Sequence, residues 1–261
     1  MEKEDVQGFD AIIHAAAQVS TFLSVDYLHE DFKSNCLGTF RLFEACRKWN
    51  DDALIIYTSS RSVLGDIPEP KIADEGLPYN PSTFYNVHKI YGENLCKIYS
   101  ELYGMKFVIL RPSNVYGPRQ PYWMKGWYNF IAFWIKLALE GKPLPIFGTG
   151  KQIRDYVDVS DTAKAFVLAL KNKRAIGETF LLPTGKGTDL NELASLVIKL
   201  SNSRSKVRYL PPRKGDIQRF VGTYEKAKKI LGWIPETSLE EGLKGEIEWV
   251  RSKIKAEKGM Q

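Results

Sequence analysis

The chain has 261 residues, of which 44% are hydrophobic and 26% charged, and a formal net charge of +6 at pH 7. This length and composition suit a soluble protein with one large domain or two linked domains. The basic excess lies in the second half without a nucleic-acid-binding motif, and the longest apolar run is broken by Lys136, so neither nucleic acid nor a membrane is expected as a partner.

The cysteines are Cys36, Cys46 and Cys96, far apart in the sequence. They lack the spacing of metal ligands, and an odd number cannot pair completely in disulfides. Reduced thiols, no metal site and a cytoplasmic location are therefore expected.

The first half of the chain alternates between strand and helix patterns. Residues 10–14 are a short apolar run that ends in a histidine and is followed by three alanines. The apolar pattern recurs at 53–58 and 106–111. Between these runs, 32–49 and 85–103 place apolar side chains at helical spacing. Such alternation predicts a parallel sheet with right-handed crossovers and helices on both faces. The ends of the second and third strands are expected to face one cleft.

The second half has a different pattern. It contains an aromatic loop rich in glycine and proline at 112–125, helical patterns at about 126–140, 161–170 and 190–200, strands at 144–147 and 178–182, a basic loop and two final helices. The sequence therefore predicts an α/β fold with a first domain at 1–115 and a smaller α/β lobe at 116–261. Some elements around 156–200 are expected to return to the main sheet.

Three side chains form a candidate catalytic group. Ser60 directly follows the second predicted strand, at the sheet edge where open α/β folds bind ligands. Tyr85 and Lys89 are one helical turn apart, so both project from one face. A nearby ammonium favours the phenolate, which predicts that Lys89 lowers the Tyr85 pKa from its usual value of about 10. A tyrosine with such a pKa acts as a general acid or base, while the serine hydroxyl holds the substrate oxygen.

Longer motifs extend this group along the chain. They are DAIIHAAAQVS (10–20), DFKSNCLGTFRLFEAC (31–46), YTSSRSVLGD (57–66), YNVHK (85–89), LRPSNVYGPRQ (110–120), GTGKQIRDYVDVSD (148–161), RKGD (213–216) and EKAKKILGWIP (225–235). On these motifs the chain resembles the extended short-chain dehydrogenases/reductases, specifically the NAD-dependent nucleotide-sugar epimerase/dehydratase family. The resemblance implies a Rossmann-like, doubly wound parallel sheet with a smaller C-terminal substrate lobe.

The resemblance also implies the residues of the site. Catalysis would depend on Ser60, Tyr85 and Lys89. NAD would contact His14, Ala15, Ala16, Ala17, Asn35, Thr58, Tyr85, Lys89 and Pro112. The nucleotide sugar would contact Ser60, Asn114, Arg154, Arg213 and Asp216, with both arginines gripping the diphosphate. His14 also has a structural interpretation, fixing the strand end, and His88 is expected on the surface or in packing.

One family feature is not found in this sequence. Family members begin with a strand, a glycine-rich turn and a helix that bind the NAD pyrophosphate, whereas residues 1–9 resemble the linker before the fourth strand. An NAD-binding sheet without its first βα units is therefore expected. It would arise from a truncated reading frame or from a genuine short form whose sheet edge is exposed unless another chain supplies the missing strands, and it would bind NAD weakly.

The residues at 61 and 62 bear on the reaction. Arg61 and Ser62 stand where the family's sugar 4,6-dehydratases carry an Asp-Glu pair, which argues against dehydration. The resemblance implies an epimerase, foremost a homodimeric UDP-hexose 4-epimerase that oxidises the sugar transiently with tightly held NAD. A CDP-sugar 2-epimerase and a UDP-glucuronate decarboxylase share the catalytic group and remain open. A non-catalytic partner subunit or inactive fragment is the alternative from another class.

Overall fold

The computed structural model describes residues 1–20, 23–123, 130–213 and 215–259. Its strands are β1 (Ala11–His14), β2 (Leu54–Thr58), β3 (Phe107–Pro112), β4 (Asn114–Tyr116), β5 (Leu144–Phe147), β6 (Ile153–Asp158), β7 (Thr179–Leu182), β8 (Gly187–Asp189) and β9 (Val207–Leu210). Its helices are α1 (Leu23–Asp26), α2 (Leu28–Phe32), α3 (Gly38–Trp49), α4 (Phe84–Tyr103), α5 (Phe130–Leu139), α6 (Val159–Lys171), α7 (Leu190–Leu200), α8 (Glu225–Leu231) and α9 (Leu239–Gly259). A π-helical turn, Lys33–Leu37, joins α2 to α3, and 3₁₀ turns lie at Lys3–Asp5, Arg61–Leu64 and Lys173–Ala175.

The main sheet is parallel, in the order β1-β2-β3-β7. Successive side chains of a strand point to opposite faces, and both faces are covered here. Ile55 and Tyr57 share a core with α3 and α4, whereas Ile56 shares a core with α6 and α8. The predicted doubly wound α/β fold is confirmed. Because β2 and β3 are paired in parallel, their carboxyl ends lie side by side at one edge.

The second half also builds two smaller sheets. β4 pairs in parallel with β6, β6 antiparallel with β8, and β5 in parallel with β9. Helices α5, α7 and α9 share a core that includes Trp134, Leu193 and Ile247. Of the elements between 156 and 200, β7 pairs with β3 and α6 packs on the main sheet, whereas α7 packs against α5 and α9.

Several elements differ from the sequence-based prediction. The start of the helix expected at 126–140 falls on 124–129, outside the described residues, and α5 is described from Phe130 onward. β6 was missed because three of its five buried positions, Arg154, Asp155 and Asp158, are polar, so it lacks an apolar pattern. β9 lies in the segment expected to be a basic loop, and its middle residues are exposed.

Helix α9 buries a carboxyl group. The Glu246 side chain is buried, and neither of its oxygens makes a hydrogen bond of normal geometry with the described residues. Burial raises the pKa of Glu246 from 4.5 to about 8, and the N–H of Gly117 offsets this only in part. The folded state holds this proton more tightly than the unfolded state. The protonated carboxyl therefore adds to the free energy of unfolding below pH 4.5, and this contribution is lost as pH rises towards 8.

Replacing Glu246 with Gln is expected to raise the free energy of unfolding by about 3 kcal/mol near pH ~8.5 and to change it little near pH ~5. The variant removes the ionisable group while keeping its shape, so only the charged form's penalty disappears. Urea unfolding at the two pH values measures the difference. Glu248→Gln, at an exposed position of the same helix, is the matched control. An equal effect of Glu246→Gln at both pH values would contradict the buried-carboxyl explanation.

Candidate active site

A cavity of about 1210 Å³ opens at the carboxyl ends of β2 and β3. Its wall is formed by residues of the main sheet and of the second half of the chain. The predicted site residues in this wall are Thr58, Ser60, Tyr85, Pro112, Asn114, Arg154, Arg213 and Asp216. The fold therefore brings Ser60, Tyr85 and the predicted substrate-binding side chains to one cavity, although they are widely separated in sequence, whereas Lys89 does not line it.

The predicted catalytic group lies at the cavity wall next to the end of β2. Tyr85 and Lys89 occupy successive turns of α4, and both side chains are buried. The Lys89 ammonium donates a hydrogen bond of 2.7 Å to the carbonyl oxygen of Thr58 and lies 5.8 Å from the centre of the Tyr85 ring. The Ser60 hydroxyl lies 2.8 Å from that of Ser62 and accepts a hydrogen bond from the Ser62 N–H.

The charge state of Tyr85 differs from the prediction. Burial raises the pKa of Tyr85 to about 12, and the hydrogen bond of Ser60 and the charge of Arg61 offset this only in part. Burial also lowers the pKa of Lys89 to about 8. The prediction that Lys89 lowers the Tyr85 pKa is wrong for the chain by itself, because desolvation dominates and the ammonium is directed at Thr58. Tyr85 is therefore a neutral phenol at pH 7 in this chain.

Asn35 holds the loop that follows the alanines. Its Oδ1 accepts the N–H of Gln18 at 2.9 Å, and its Nδ2 donates to the Gln18 carbonyl at 2.9 Å and to Asp31 at 3.1 Å. Asp31 is fully buried and also hydrogen-bonds His88 on α4. Of the two positions expected for His88, on the surface or in packing, the structure shows the second, because this hydrogen bond holds its ring in the interior. The network ties the loop of Gln18 to the catalytic helix.

His14 is engaged within the fold. Its Nε2 hydrogen-bonds the Thr39 hydroxyl at 2.9 Å. Burial, and then the charge of Lys89, lower its pKa to about 4, so the ring is neutral at pH 7. These contacts agree with the structural interpretation of His14. The next residues, Ala15 and Ala16, are exposed, which leaves their surface open to a ligand.

The predicted substrate arginines lie on another part of the cavity wall. Arg154 is buried and donates to Asp216 at 2.6 Å. Asp216 thus orients an arginine, and its second oxygen also accepts a bond from Gln152 at 3.3 Å. The Arg213 guanidinium lies 3.4 Å from the centre of the Phe147 ring, stacked in a way that fixes its plane.

Sequence analysis missed two charged groups at this site. Arg61 is buried and donates twice to the Asn114 side-chain oxygen. Glu93 is fully buried one turn after Lys89 and pairs with Arg111. The spacing 85, 89, 93 would have placed Glu93 on the catalytic face of α4. No local pattern predicts that the Arg61 side chain reaches Asn114 from another strand end.

Within 1–20, 23–123, 130–213 and 215–259, no three His, Cys, Asp or Glu residues are grouped so that they could hold a metal ion. No helix in this part of the chain is both long and apolar enough to cross a membrane.

Comparison with known proteins identifies the family. Residues 2–182 match the NAD dependent epimerase/dehydratase family. The chain belongs to this family. It is 37% identical over 251 residues to a putative UDP-glucose 4-epimerase of Methanocaldococcus jannaschii, a match that covers 96% of this chain and 80% of the relative.

Solved structures agree in fold and in kind of enzyme. A UDP-glucose 4-epimerase of Thermotoga maritima, crystallised with UDP-glucose, is 34% identical with a TM-score of 0.88, over 94% of this chain and 78% of that one. A UDP-glucuronic acid 4-epimerase of Bacillus cereus, in complex with UDP-glucuronic acid and NAD, is 31% identical with a TM-score of 0.88, over 96% and 78%. The chain is thus an NAD-dependent nucleotide-sugar epimerase.

Proposed function

We propose that this epimerase inverts C4 of the hexose in a UDP-linked sugar, with Ser60, Tyr85 and Lys89 at the reacting end. The observation that carries the proposal is one cavity lined by both the Ser60–Tyr85 pair and the arginines Arg154 and Arg213. A nucleotide sugar has a diphosphate at its centre and a neutral ring of hydroxyl groups at one end. Two guanidinium groups suit the diphosphate, and a serine–tyrosine pair suits a hydroxyl that must lose and regain a proton.

The end of β2 fits the nicotinamide half of NAD. The Thr58 hydroxyl oxygen is buried without a hydrogen-bond partner among the described residues. The Lys89 ammonium, which can donate three hydrogen bonds, makes one to the Thr58 carbonyl. Pro112 and Tyr85 line the same cavity. We assign these four residues to the nicotinamide end, while Asn35 and His14 support the loop of Ala15, Ala16 and Ala17 beside it.

In this proposal Tyr85 removes the proton of the sugar hydroxyl and later returns it, while Ser60 holds the same oxygen. When bound, NAD supplies the acceptor and donor of the carbon-bound hydrogen, and its positively charged ring favours the phenolate that burial disfavours. The Lys89 ammonium keeps the Thr58 carbonyl in place beside the tyrosine. Burial of Tyr85 excludes water from the proton-transfer step.

Dehydration is disfavoured by the side chains after Ser60. Elimination of water needs an acid and a base near C5 and C6 of the sugar, and positions 61 and 62 supply a guanidinium and a hydroxyl. Burial lowers the pKa of Arg61 to about 9, so its guanidinium is still protonated at pH 7 and cannot serve as the base there. Epimerisation needs only the tyrosine for proton transfer, so the side chains present suffice for it.

The experiment that tests the proposal follows turnover in D2O by proton NMR. The chain is incubated with NAD and, separately, with UDP-glucose, UDP-glucuronate and a CDP-linked hexose. The expected product is the C4 epimer of a UDP-sugar without deuterium at C4, because the hydrogen returns to the carbon from which it left. Inversion at C2, a pentose product or a 4-keto-6-deoxy sugar would each contradict the proposal.

A further inference from the structure

A buried arginine lies at the sugar end of the cavity without a charged partner among the described residues. Arg61 lines the cavity directly after Ser60, and its side chain is only 8% exposed. Its Nε and Nη2 donate to the Asn114 Oδ1 at 3.1 and 2.9 Å, and its guanidinium lies 4.9 Å from the centre of the Phe220 ring. The side chain is therefore fixed in one orientation by a neutral oxygen and an aromatic face.

These contacts leave one edge of the guanidinium unused. An arginine head has five N–H donors, and Asn114 accepts from the edge formed by Nε and Nη2. Nη1 is itself buried and has no hydrogen-bond partner among the described residues. The edge formed by Nη1 and the second hydrogen of Nη2 matches the two oxygens of a carboxylate.

The neighbouring acids are already bound by other groups. Asp216 accepts from Arg154 at 2.6 Å. Asp155 accepts from the N–H and hydroxyl of Thr184 at 2.7 and 2.8 Å. Arg61 forms no ion pair among the described residues. Burial, and then the charge of Arg154, lower its pKa to about 9. A buried cation without a partner is costly, so this part of the cavity favours an additional anion.

We propose that Arg61 binds a carboxylate carried by the sugar, which makes a UDP-linked hexuronate the preferred substrate class of this site. The inference rests on the proposed function, in which Arg154 and Arg213 take the diphosphate. Because Arg154 and Arg213 bind the diphosphate, Arg61 is available for a second anion. It lies next to Ser60, at the end of the cavity where the sugar reacts. A neutral hexose would leave the buried guanidinium edge unpaired, whereas a carboxylate would satisfy it.

Calorimetric titrations of the full chain with UDP-glucuronate, UDP-glucose and UDP test this assignment. We expect UDP-glucuronate to bind about 10- to 100-fold more tightly than UDP-glucose, the range of a charge-assisted hydrogen-bonded pair. In Arg61→Gln this preference should disappear while the affinity for UDP stays within about threefold. Arg61→Lys, which keeps the charge but not the planar pair of N–H donors, should keep part of the preference for UDP-glucuronate. Arg208→Gln, an exposed arginine of β9, should retain the wild-type preference.

Each result decides the inference. Equal or weaker binding of UDP-glucuronate by the wild-type chain would overturn it, and that comparison does not depend on whether a variant folds. An equal loss of affinity for all ligands, UDP included, in Arg61→Gln would overturn it too, since the diphosphate would then be the partner of Arg61. C4 epimerisation of UDP-glucose without preference for the uronate would overturn the role of Arg61 and leave the proposed function standing. Binding of none of the ligands would overturn both.

Discussion

The Tyr85→Phe variant is expected to have a kcat at least about 10²-fold lower than the wild-type enzyme, with a KM that changes little. The substitution removes only the hydroxyl that transfers the proton and keeps the ring, which is 7% exposed and packed in the cavity wall. Steady-state kinetics with the UDP-sugar that turns over best, and with NAD in excess, measures both constants.

Tyr103→Phe is the matched control for this prediction. Tyr103 ends the same helix and is exposed, so its hydroxyl should not affect turnover. A Tyr85→Phe enzyme with nearly wild-type kcat would exclude Tyr85 as the acid and base. A rise in KM with unchanged kcat would show instead that the hydroxyl only binds substrate.

Local patterns in the sequence were enough to predict the main sheet and the position of Tyr85 and Lys89 relative to it. β2 and β3 are apolar runs bounded by turn residues, and such runs become adjacent buried strands when helices separate them. The one-turn spacing of Tyr85 and Lys89 on α4 then fixes their common direction relative to the end of β2. Periodicity carries this information because it depends only on residues near one another in the chain.

The remaining features depend on contacts between distant residues. Arg61 meets Asn114 of β4, and Asp31 reaches His88 on another helix. The Tyr85 pKa could not be predicted correctly, because the spacing to Lys89 is visible in the sequence whereas the burial that raises the pKa is not. β6 was missed for a related reason, since its buried polar residues are satisfied by partners elsewhere, as Asp155 is by Thr184.

Arg111 and Glu93 form a buried ion pair on the strand and helix next to the predicted catalytic residues. Arg111, near the end of β3, donates to Glu93 of α4 through Nε at 2.8 Å and Nη2 at 2.6 Å. Glu93 also accepts a hydrogen bond from Tyr79 at 2.7 Å and one from Ser59, the neighbour of Ser60. The carboxylate thus joins β2, β3 and α4 at the edge of the sheet where the cavity opens.

The Arg111→Met variant is expected to lower the free energy of unfolding by about 3–5 kcal/mol, because it leaves the Glu93 carboxylate buried without its cation. Urea unfolding measures the change. Lys244→Met, which breaks an exposed pair with Glu240 on α9, should have no measurable effect. A small loss of stability in Arg111→Met would show that Tyr79 and Ser59 satisfy the carboxylate without the arginine.

The double variant Arg111→Met/Glu93→Leu separates stability from positioning. Removing both charges replaces the pair with apolar groups of similar size, which should recover at least half of the stability lost in Arg111→Met. Activity should nevertheless fall in the double variant, because Ser59 loses the acceptor that fixes the end of β2 next to Ser60. The expected kinetic result is a kcat about tenfold or more below wild type with KM less affected. Recovered stability together with a wild-type kcat would mean that the Glu93 carboxylate has no part in positioning Ser60.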